Sequence, residues 1–336
     1  MDRYARQRVF SQVGKEGQER LLKSRVCIIG MGALGTVSAN SLCRSGVGHL
    51  RMVDRDYVEL TNLQRQVLYT EEDVRQCLPK AIAAHKHLSK VNSEITLEHI
   101  VADVNPSNIE SLISGSDLVL DATDNWEIRI LINEACHKAA IPWIYCGALG
   151  SEGMTLNILN SEDSPCLMCF IREKPPAHSA SCSTYGVMNM VTGTMASIQA
   201  SEAVKILLGS EDIRRELLVL DLWENYFQTI DLAKDPDCPL CVHGVYEHLG
   251  KTAGSYTTDL CGSDAVQIVP PQLGKVDFSA LAEKLKKAGR VNHNEYTLSF
   301  SDGKYEIILF RDGRAIIKNA IDGNNAKSIY TEYIGL

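Results

Sequence analysis

The sequence has no surplus of positive charge. Its formal net charge is -8 and its pI is about 5.6, which argues against nonspecific nucleic-acid binding and leaves room only for a local basic site. It lacks an apolar N-terminal core. Met1-Asp2-Arg3-Tyr4-Ala5-Arg6-Gln7 does not read as a signal peptide. It also lacks an uninterrupted apolar run. The most membrane-like stretch, residues 185–208, carries Ser, Thr, Asn, Gln, Glu202 and Lys205, so a buried helix is expected there and no membrane partner. Internal repeats and low-complexity tracts are absent, and nothing points to a repeat array. Cysteine is the exception to this scarcity. Eleven cysteines without a secretion signal indicate a reduced, cytoplasmic setting, with metal or thiol chemistry preferred over disulfides. A chain of 336 residues, 45% hydrophobic and 23% charged, has room for one large core and a smaller second one.

The chain is organised around Val26-Cys27-Ile28-Ile29-Gly30-Met31-Gly32-Ala33-Leu34-Gly35. A short β-branched run ends in glycines at G-x-G-x-x-G spacing and passes into an apolar helix pattern. Gly30 permits the turn, Gly32 lets backbone approach a phosphate, and Gly35 lets helix pack on strand. The free N–H groups and helix dipole favour an anion. Alone, the loop is also compatible with a ligand-free glycine turn.

A helix over residues 33–45 and a strand over 49–53 follow, the strand ending at Asp54. That spacing suits an acidic residue for ribose hydroxyls, or a carboxylate that caps a strand-end turn. The next residues are long and polar, unlike a dehydrogenase. Asn62, Arg65 and Gln66 can donate to phosphate oxygens. Pro79-Lys80 opens a helix. A lysine there opposes the dipole unless an anion is near, although a plain surface lysine fits the pattern equally. A strand over 116–121 ends in Asp121-Ala122-Thr123-Asp124-Asn125. Either Asp121 or Asp124 can hold Mg²⁺ beside a nucleotide, and Asp124 can instead cap the helix at 126–139. The alternation so far predicts a parallel sheet covered on both faces. Strand patterns at 154–159, 217–222 and 226–232 extend it.

Two C-x-x-C pairs, Cys166/Cys169 and Cys238/Cys241, lie about seventy residues apart, each beside a proline. Four thiolates make a closed structural zinc site. A redox pair or ordinary buried cysteines are the alternatives. Between them, Cys182 sits in a Pro/Ser/Gly loop before a helix, a setting that lowers a thiol pKa and raises reactivity, or leaves an incidental exposed cysteine. Residues 250–258 read as a polar linker. Beyond it, strands at 266–269, 296–300, 305–310 and 315–318, with helices at 278–288 and 324–333, predict a compact βαβββα unit without catalytic residues.

Taken together, Arg3-Tyr4-Ala5-Arg6-Gln7, the glycine loop, Asp54-Arg55-Asp56, Asn62-Leu63-Gln64-Arg65-Gln66, Pro79-Lys80, Asp121-Ala122-Thr123-Asp124-Asn125 and the thiol pairs resemble the ThiF/MoeB/HesA group of ubiquitin-activating-enzyme relatives. The likeness covers about residues 1–245. It implies a Rossmann-like, mainly parallel α/β sheet with an antiparallel extension and a zinc site. Residues 1–250 would form the adenylation domain, and 251–336 a small α+β domain. It implies ATP and Mg²⁺ as cofactors beside Zn²⁺. The substrate would be the C-terminal Gly-Gly carboxylate of a ubiquitin-fold sulfur carrier, and the product an acyl-adenylate. By family pattern Gly30, Gly32 and Gly35 bound the nucleotide and Asp54 and Asp56 lie in its motif, with Asp54 on the ribose. Asn62, Arg65 and Lys80 would hold phosphates beside Gln66, and Asp124 would bind Mg²⁺. Arg6 would reach the partner protomer's γ-phosphate in a homodimer, and Cys182 would join the carrier during sulfur transfer from a donor such as a cysteine desulfurase. Members often carry a glycine a few residues before the lysine, where Cys77 stands here. No rhodanese-like cysteine loop is present, and the tail around residues 260–268 is similar to that of ThiF-type enzymes of thiamin thiazole synthesis. MoeB-type activation of a molybdopterin synthase small subunit is the neighbouring alternative. An NAD-dependent dehydrogenase or a non-catalytic scaffold is a more distant one.

Overall fold

A computed structural model of the chain describes residues 2–171, 185–251, 256–259, 265–270 and 274–335. Two helices, α1 (Ala5–Val9) and α2 (Gly14–Lys23), lead into β1 (Arg25–Ile29), α3 (Ala33–Ser45) and β2 (His49–Asp54). Next come α4 (Glu71–Arg75), α5 (Lys80–Val91), β3 (Thr96–Val101), α6 (Ile109–Ile113), β4 (Leu118–Asp121), α7 (Trp126–Ala139) and β5 (Trp143–Leu149). The next group is β6 (Glu152–Ile158), α8 (Leu167–Phe170), α9 (Asn189–Leu208), β7 (Leu217–Asp221) and β8 (Tyr226–Ile230). These strands form one eight-stranded sheet in the order β3-β2-β1-β4-β5-β6-β7-β8. The first five are parallel and the last three antiparallel, as expected from the sequence.

The parallel strands are apolar on both sides because helices cover both. In β1, Val26 and Ile28 join a core with α3, α5 and α9, whereas Cys27 and Ile29 join the opposite core with α6 and α7. Gln199 of α9 fastens one layer to the sheet. Its amide donates to the carbonyls of Asp121 (2.8 Å) and Ile144 (3.2 Å), while Ser38 of α3 donates to its oxygen at 2.9 Å. α9 is buried on one face only. Met190, on the other, is exposed, so the expected buried helix is half open. No helix among the described residues is long and apolar enough to cross a membrane.

The tail forms β9 (Tyr256–Asp259), β10 (Ala265–Val269), α10 (Phe278–Leu285), β11 (Arg290–His293), β12 (Thr297–Ser301), β13 (Glu306–Phe310), β14 (Ala315–Lys318) and α11 (Gly323–Tyr333). Its antiparallel sheet has the order β11-β12-β13-β14-β10-β9. β9 falls where a polar linker was expected, because an unpaired edge of β10 accepts four of its residues in register. β11 was also not anticipated. One face of this sheet, with Val266, Leu298, Phe300, Ile307 and Leu309, packs on α10 and α11. The other, with Ala265, Ile308, Phe310 and Ile316, packs on Tyr57 and Cys77 in loops beside the first sheet and on Val101 at the end of β3.

Two glycines of the turn after β1 differ in what they avoid. A Cβ on Gly35 would lie 2.0 Å from the Gly30 carbonyl oxygen, whereas one on Gly32 would meet only Gln66 Nε2 at 3.8 Å. Gly35→Ala is therefore expected to destabilise the fold by ~3 kcal/mol or more, since the clash is with backbone, lowering Tm by several degrees. Gly32→Ala should melt close to wild type. Thermal denaturation of both variants checks the contrast.

Candidate nucleotide site and thiol cluster

The site lies at the carboxyl ends of β1, β2 and β4, where strand order reverses between β1 and β4 and open α/β sheets take ligands. Gly30, at φ 94°, makes the turn, and its N–H donates to Val53 at 2.8 Å. A side chain there would strike the Ala122 carbonyl at 2.6 Å. No protein atom presses on Gly32, so its missing side chain leaves a path for a ligand and not for packing.

Asp54 faces this loop. Its Oδ2 accepts from Met31 N–H at 2.6 Å and its Oδ1 from Asp56 N–H at 2.7 Å. The turn-capping function is thus real. Each carboxylate oxygen keeps a further acceptor site for a ribose hydroxyl. Burial raises the pKa of Asp54, against the opposing pull of Lys80.

Lys80 is the first residue of α5 and is buried. Its Nζ donates to Asp56 Oδ2 at 3.1 Å and its backbone N–H to the Asp56 carbonyl at 2.8 Å. Burial disfavours the ammonium, but Asp56 and Asp54 outweigh it and raise its pKa. The surface-lysine reading is excluded. Tyr69, which sequence reasoning did not single out, ties the two sides together. Its hydroxyl lies 2.7 Å from the Met31 carbonyl and 3.1 Å from that of Lys80.

The polar stretch closes over the loop. Asn62 and Glu59 cap each other around the short 3₁₀ turn Leu60–Asn62. The Asn62 oxygen is committed to Glu59 N–H at 3.1 Å, so its amide NH₂ is the group that can donate to a ligand. Arg65 is half-buried and donates to the Thr61 carbonyl at 3.0 Å. Gln66 is buried beside Gly32, and its Oε1 has no hydrogen-bond partner among the described residues, so it is an acceptor that a ligand's donor can satisfy.

Asp121 and Asp124 have different neighbours. Asp121 is fully buried and accepts from Arg129 Nε at 3.1 Å and from Thr123. It is an internal ion pair. Asn125, not Asp124, caps α7, accepting from Glu127 N–H at 2.8 Å. Asp124 is left exposed at the mouth, and its charge reaches Arg55, Lys80 and Arg129. Arg129 holds the turn from beneath, donating to Thr123 at 2.7 Å and lying against Trp126 and Tyr145. Sequence reading missed it. Its one signal is an arginine beside the apolar run Ile130-Leu131-Ile132 of the helix.

Arg6 is not brought to this site. Tyr4 and Gln7 hold α1 against Asn92 and Ser45, at the end of α3 opposite the glycine loop. Thirteen helical residues, or about 20 Å, separate the two ends. Cys182 lies outside the described residues.

The four paired cysteines converge. Their Sγ atoms all lie within 4.8 Å of one another, with Cys166–Cys238 at 3.6 Å, Cys169–Cys241 at 3.5 Å and Cys166–Cys169 at 4.0 Å. These separations are too long for disulfides and match the edge of a tetrahedron with Zn–S bonds of about 2.3 Å. The cluster can hold zinc. Hydrogen bonding with Cys166 brings the Cys169 thiol down to about 5, while burial pushes Cys241 up to about 12. A divalent cation is what makes four thiolates compatible here.

Residues 4–240 match the ThiF family. The chain belongs to that family. It is 40% identical over 336 residues to a sulfur carrier protein ThiS adenylyltransferase of Bacillus subtilis, covering 99% of both chains. It is 39% identical to a SAMP-activating enzyme E1 of Haloferax volcanii, over 73% of this chain and 90% of that one. Among solved structures, MccB of Escherichia coli shares the fold, with a TM-score of 0.64 and 22% identity over 74% of each chain. Cys77, three residues before the lysine, has a left-handed backbone at φ 50°, a conformation that favours glycine. A cysteine there carries some backbone strain.

Zinc in this ThiF-family chain is open to direct test. Cys169→Ser is expected to lower bound zinc well below one per chain and to lower Tm, and strong chelation of the wild type should reproduce the loss. Elemental analysis of wild-type protein showing no zinc refutes the assignment.

Proposed function

We propose that the protein adenylates the C-terminal Gly-Gly carboxylate of a ThiS-like sulfur carrier with ATP, releasing pyrophosphate, and so prepares thiocarboxylate formation for thiamin thiazole synthesis. The observation that carries this reading is the meeting of buried Lys80 and exposed Asp124 over the glycine loop. A nicotinamide dinucleotide has no need of a triphosphate-and-metal clamp. The full-length likeness to a ThiS adenylyltransferase, tail included, supports the choice of carrier.

The chemistry brings one anion against another, so charge must be neutralised and the reactants held in line. Lys80, Arg65 and the Asn62 amide would take the phosphates, Asp54 the ribose, and Asp124 the Mg²⁺. Mg²⁺ adds charge neutralisation between phosphate oxygens. The exposed Trp223, Tyr226 and Phe227 on β8 and the turn before it give a protein substrate an apolar edge to dock on. We assign residues 1–250 to the adenylation domain and 251–336 to an appended α+β domain. The setting is cytoplasmic, in keeping with the nine free thiols among the described cysteines. A desulfurase-type donor would supply sulfur, with Cys182 joining the carrier.

ATP–pyrophosphate exchange against purified Gly-Gly-tailed carriers tests the reading. Exchange is expected with the ThiS-like carrier. Exchange with the molybdopterin synthase small subunit alone overturns the thiazole assignment in favour of the MoeB type, and exchange with none overturns adenylation. Asp124→Ala should reduce exchange on the order of 10²-fold or more.

We further propose a homodimer in which Arg6 serves the partner's site, because α1 is held away from its own. Arg6→Ala and Lys80→Ala should each be nearly inactive. After mixing and reassembly they should recover about a quarter of wild-type sites. Measuring exchange in the mixture decides it, and no recovery refutes the shared site.

A further inference from the structure

Among the described residues, the C-terminal sheet meets the first unit around residues 55–59, 76–77 and 101–103. Besides Asn294, which donates to the Gln76 carbonyl, four side chains on its non-helical face reach across. Arg314 Nη1 lies 3.3 Å from the Arg55 carbonyl, between Asp54 and Asp56 in sequence. Thr297 Oγ1 donates to the Cys77 carbonyl at 2.9 Å, three residues before Lys80. Lys318 Nζ is 2.7 Å from Glu59 Oε1, the residue that caps the Asn62 turn. Gln267 Nε2 donates to Asp103 Oδ2 at 3.0 Å, and Asp103 Oδ1 takes Arg55 Nη1 at 3.0 Å. Each loop that supplies a phosphate-facing or ribose-facing residue from β2 to α5 is thus gripped from the tail.

This contact is not built merely to glue two units together. Tyr57, Phe310, Ile308 and Ile316 already supply an apolar seal. Arg314 is buried within it, its guanidinium against the Phe310 ring and its Nε 2.7 Å from Asp312. Its Nη2 has no hydrogen-bond partner among the described residues, and Asp56 Oδ1 has only the longer ion pair with Arg55 Nε at 3.8 Å. A buried charge with an unmet donor detracts from stability unless it serves another end. Here its bond falls on the one peptide that sets the spacing of Asp54 and Asp56.

We infer that the C-terminal sheet is a brace for the nucleotide site, with Arg314 and Thr297 as positioning residues that fix the Asp56–Lys80 couple for ATP. The inference rests on the nucleotide reading above. Arg314 holds the Asp56 side of the couple and Thr297 the Lys80 side, the latter by keeping Cys77 in its left-handed turn. Neither touches ATP, so their influence passes through the backbone of residues 55 and 77.

The test is carrier-dependent ATP–pyrophosphate exchange by the full-length protein, well below its melting temperature, with KM for ATP and for carrier measured separately. Arg314→Met is expected to raise KM for ATP about five- to tenfold, and Thr297→Val about two- to threefold, with KM for carrier unchanged. Arg314→Lys should recover part of the loss. Leu281→Ala, which loosens the same sheet from its helix side, should lower Tm and leave KM for ATP as in wild type. If Thr297→Val and Arg314→Met fold yet match wild type in KM for ATP, or if Leu281→Ala raises it equally, the brace is overturned. Should Arg314→Met not fold, Thr297→Val alone decides. Lys80→Ala separates the two levels. Unchanged ATP dependence in that variant removes the nucleotide reading itself, whereas its loss beside a wild-type-like Thr297→Val removes only the brace.

Discussion

Lys80 keeps a positive charge where two effects oppose it. It is only 8% exposed, and it sits at the positive end of a helix dipole. What holds the charge is Asp56, bonded to both its ammonium and its backbone N–H, with Asp54 behind it. Those two carboxylates are placed by the end of β2, and Asp54 in turn closes the glycine loop through Met31. Strand end, glycine turn and helix start are therefore one electrostatic unit. A displacement at any corner would leave a charge or an N–H stranded in a dry place.

The two sheets divide the labour around that unit. The parallel sheet brings its residues to a common edge, and its two apolar layers make the edge stiff. The antiparallel sheet of the tail keeps one face for its own helices and offers the other to the loops. The period-two alternation of β10, β13 and β14 makes this division possible. Val266, Ile307 and Ile317 point to the helices while Ala265, Ile308 and Ile316 point to the nucleotide domain.

Much of this was legible in the residues. The glycine spacing, the 126–139 helix and the Asp-Gly hairpins have local causes, and local causes show in sequence. The thiol pairs were also plain, because few other arrangements place C-x-x-C twice beside proline. What stayed hidden depended on neighbours distant in the chain. β9 is a strand because β10 is there to pair with it. Asp121 is tied up in an ion pair because Arg129 reaches it from α7, and Asn125, not Asp124, caps that helix. Arg6 was expected to serve a partner's site, but its distance from its own shows only once α1 is docked at the far end of α3. The tail read as an appendage without chemistry. Its polar side chains acquire meaning only against Arg55, Glu59 and Cys77.

The thiol cluster joins residues 72 positions apart in the chain. At a synthesis rate of ~5–20 residues per second, Cys166 and Cys169 wait about 4–14 s for their partners to emerge. During that interval α9 is made, and its packing on α3 can begin before the cluster closes. The order of events on the ribosome is thereby set by the chain itself. The glycine-loop half can organise first, and the metal-binding half is fastened last, by two cysteines that must still be thiols when the others arrive.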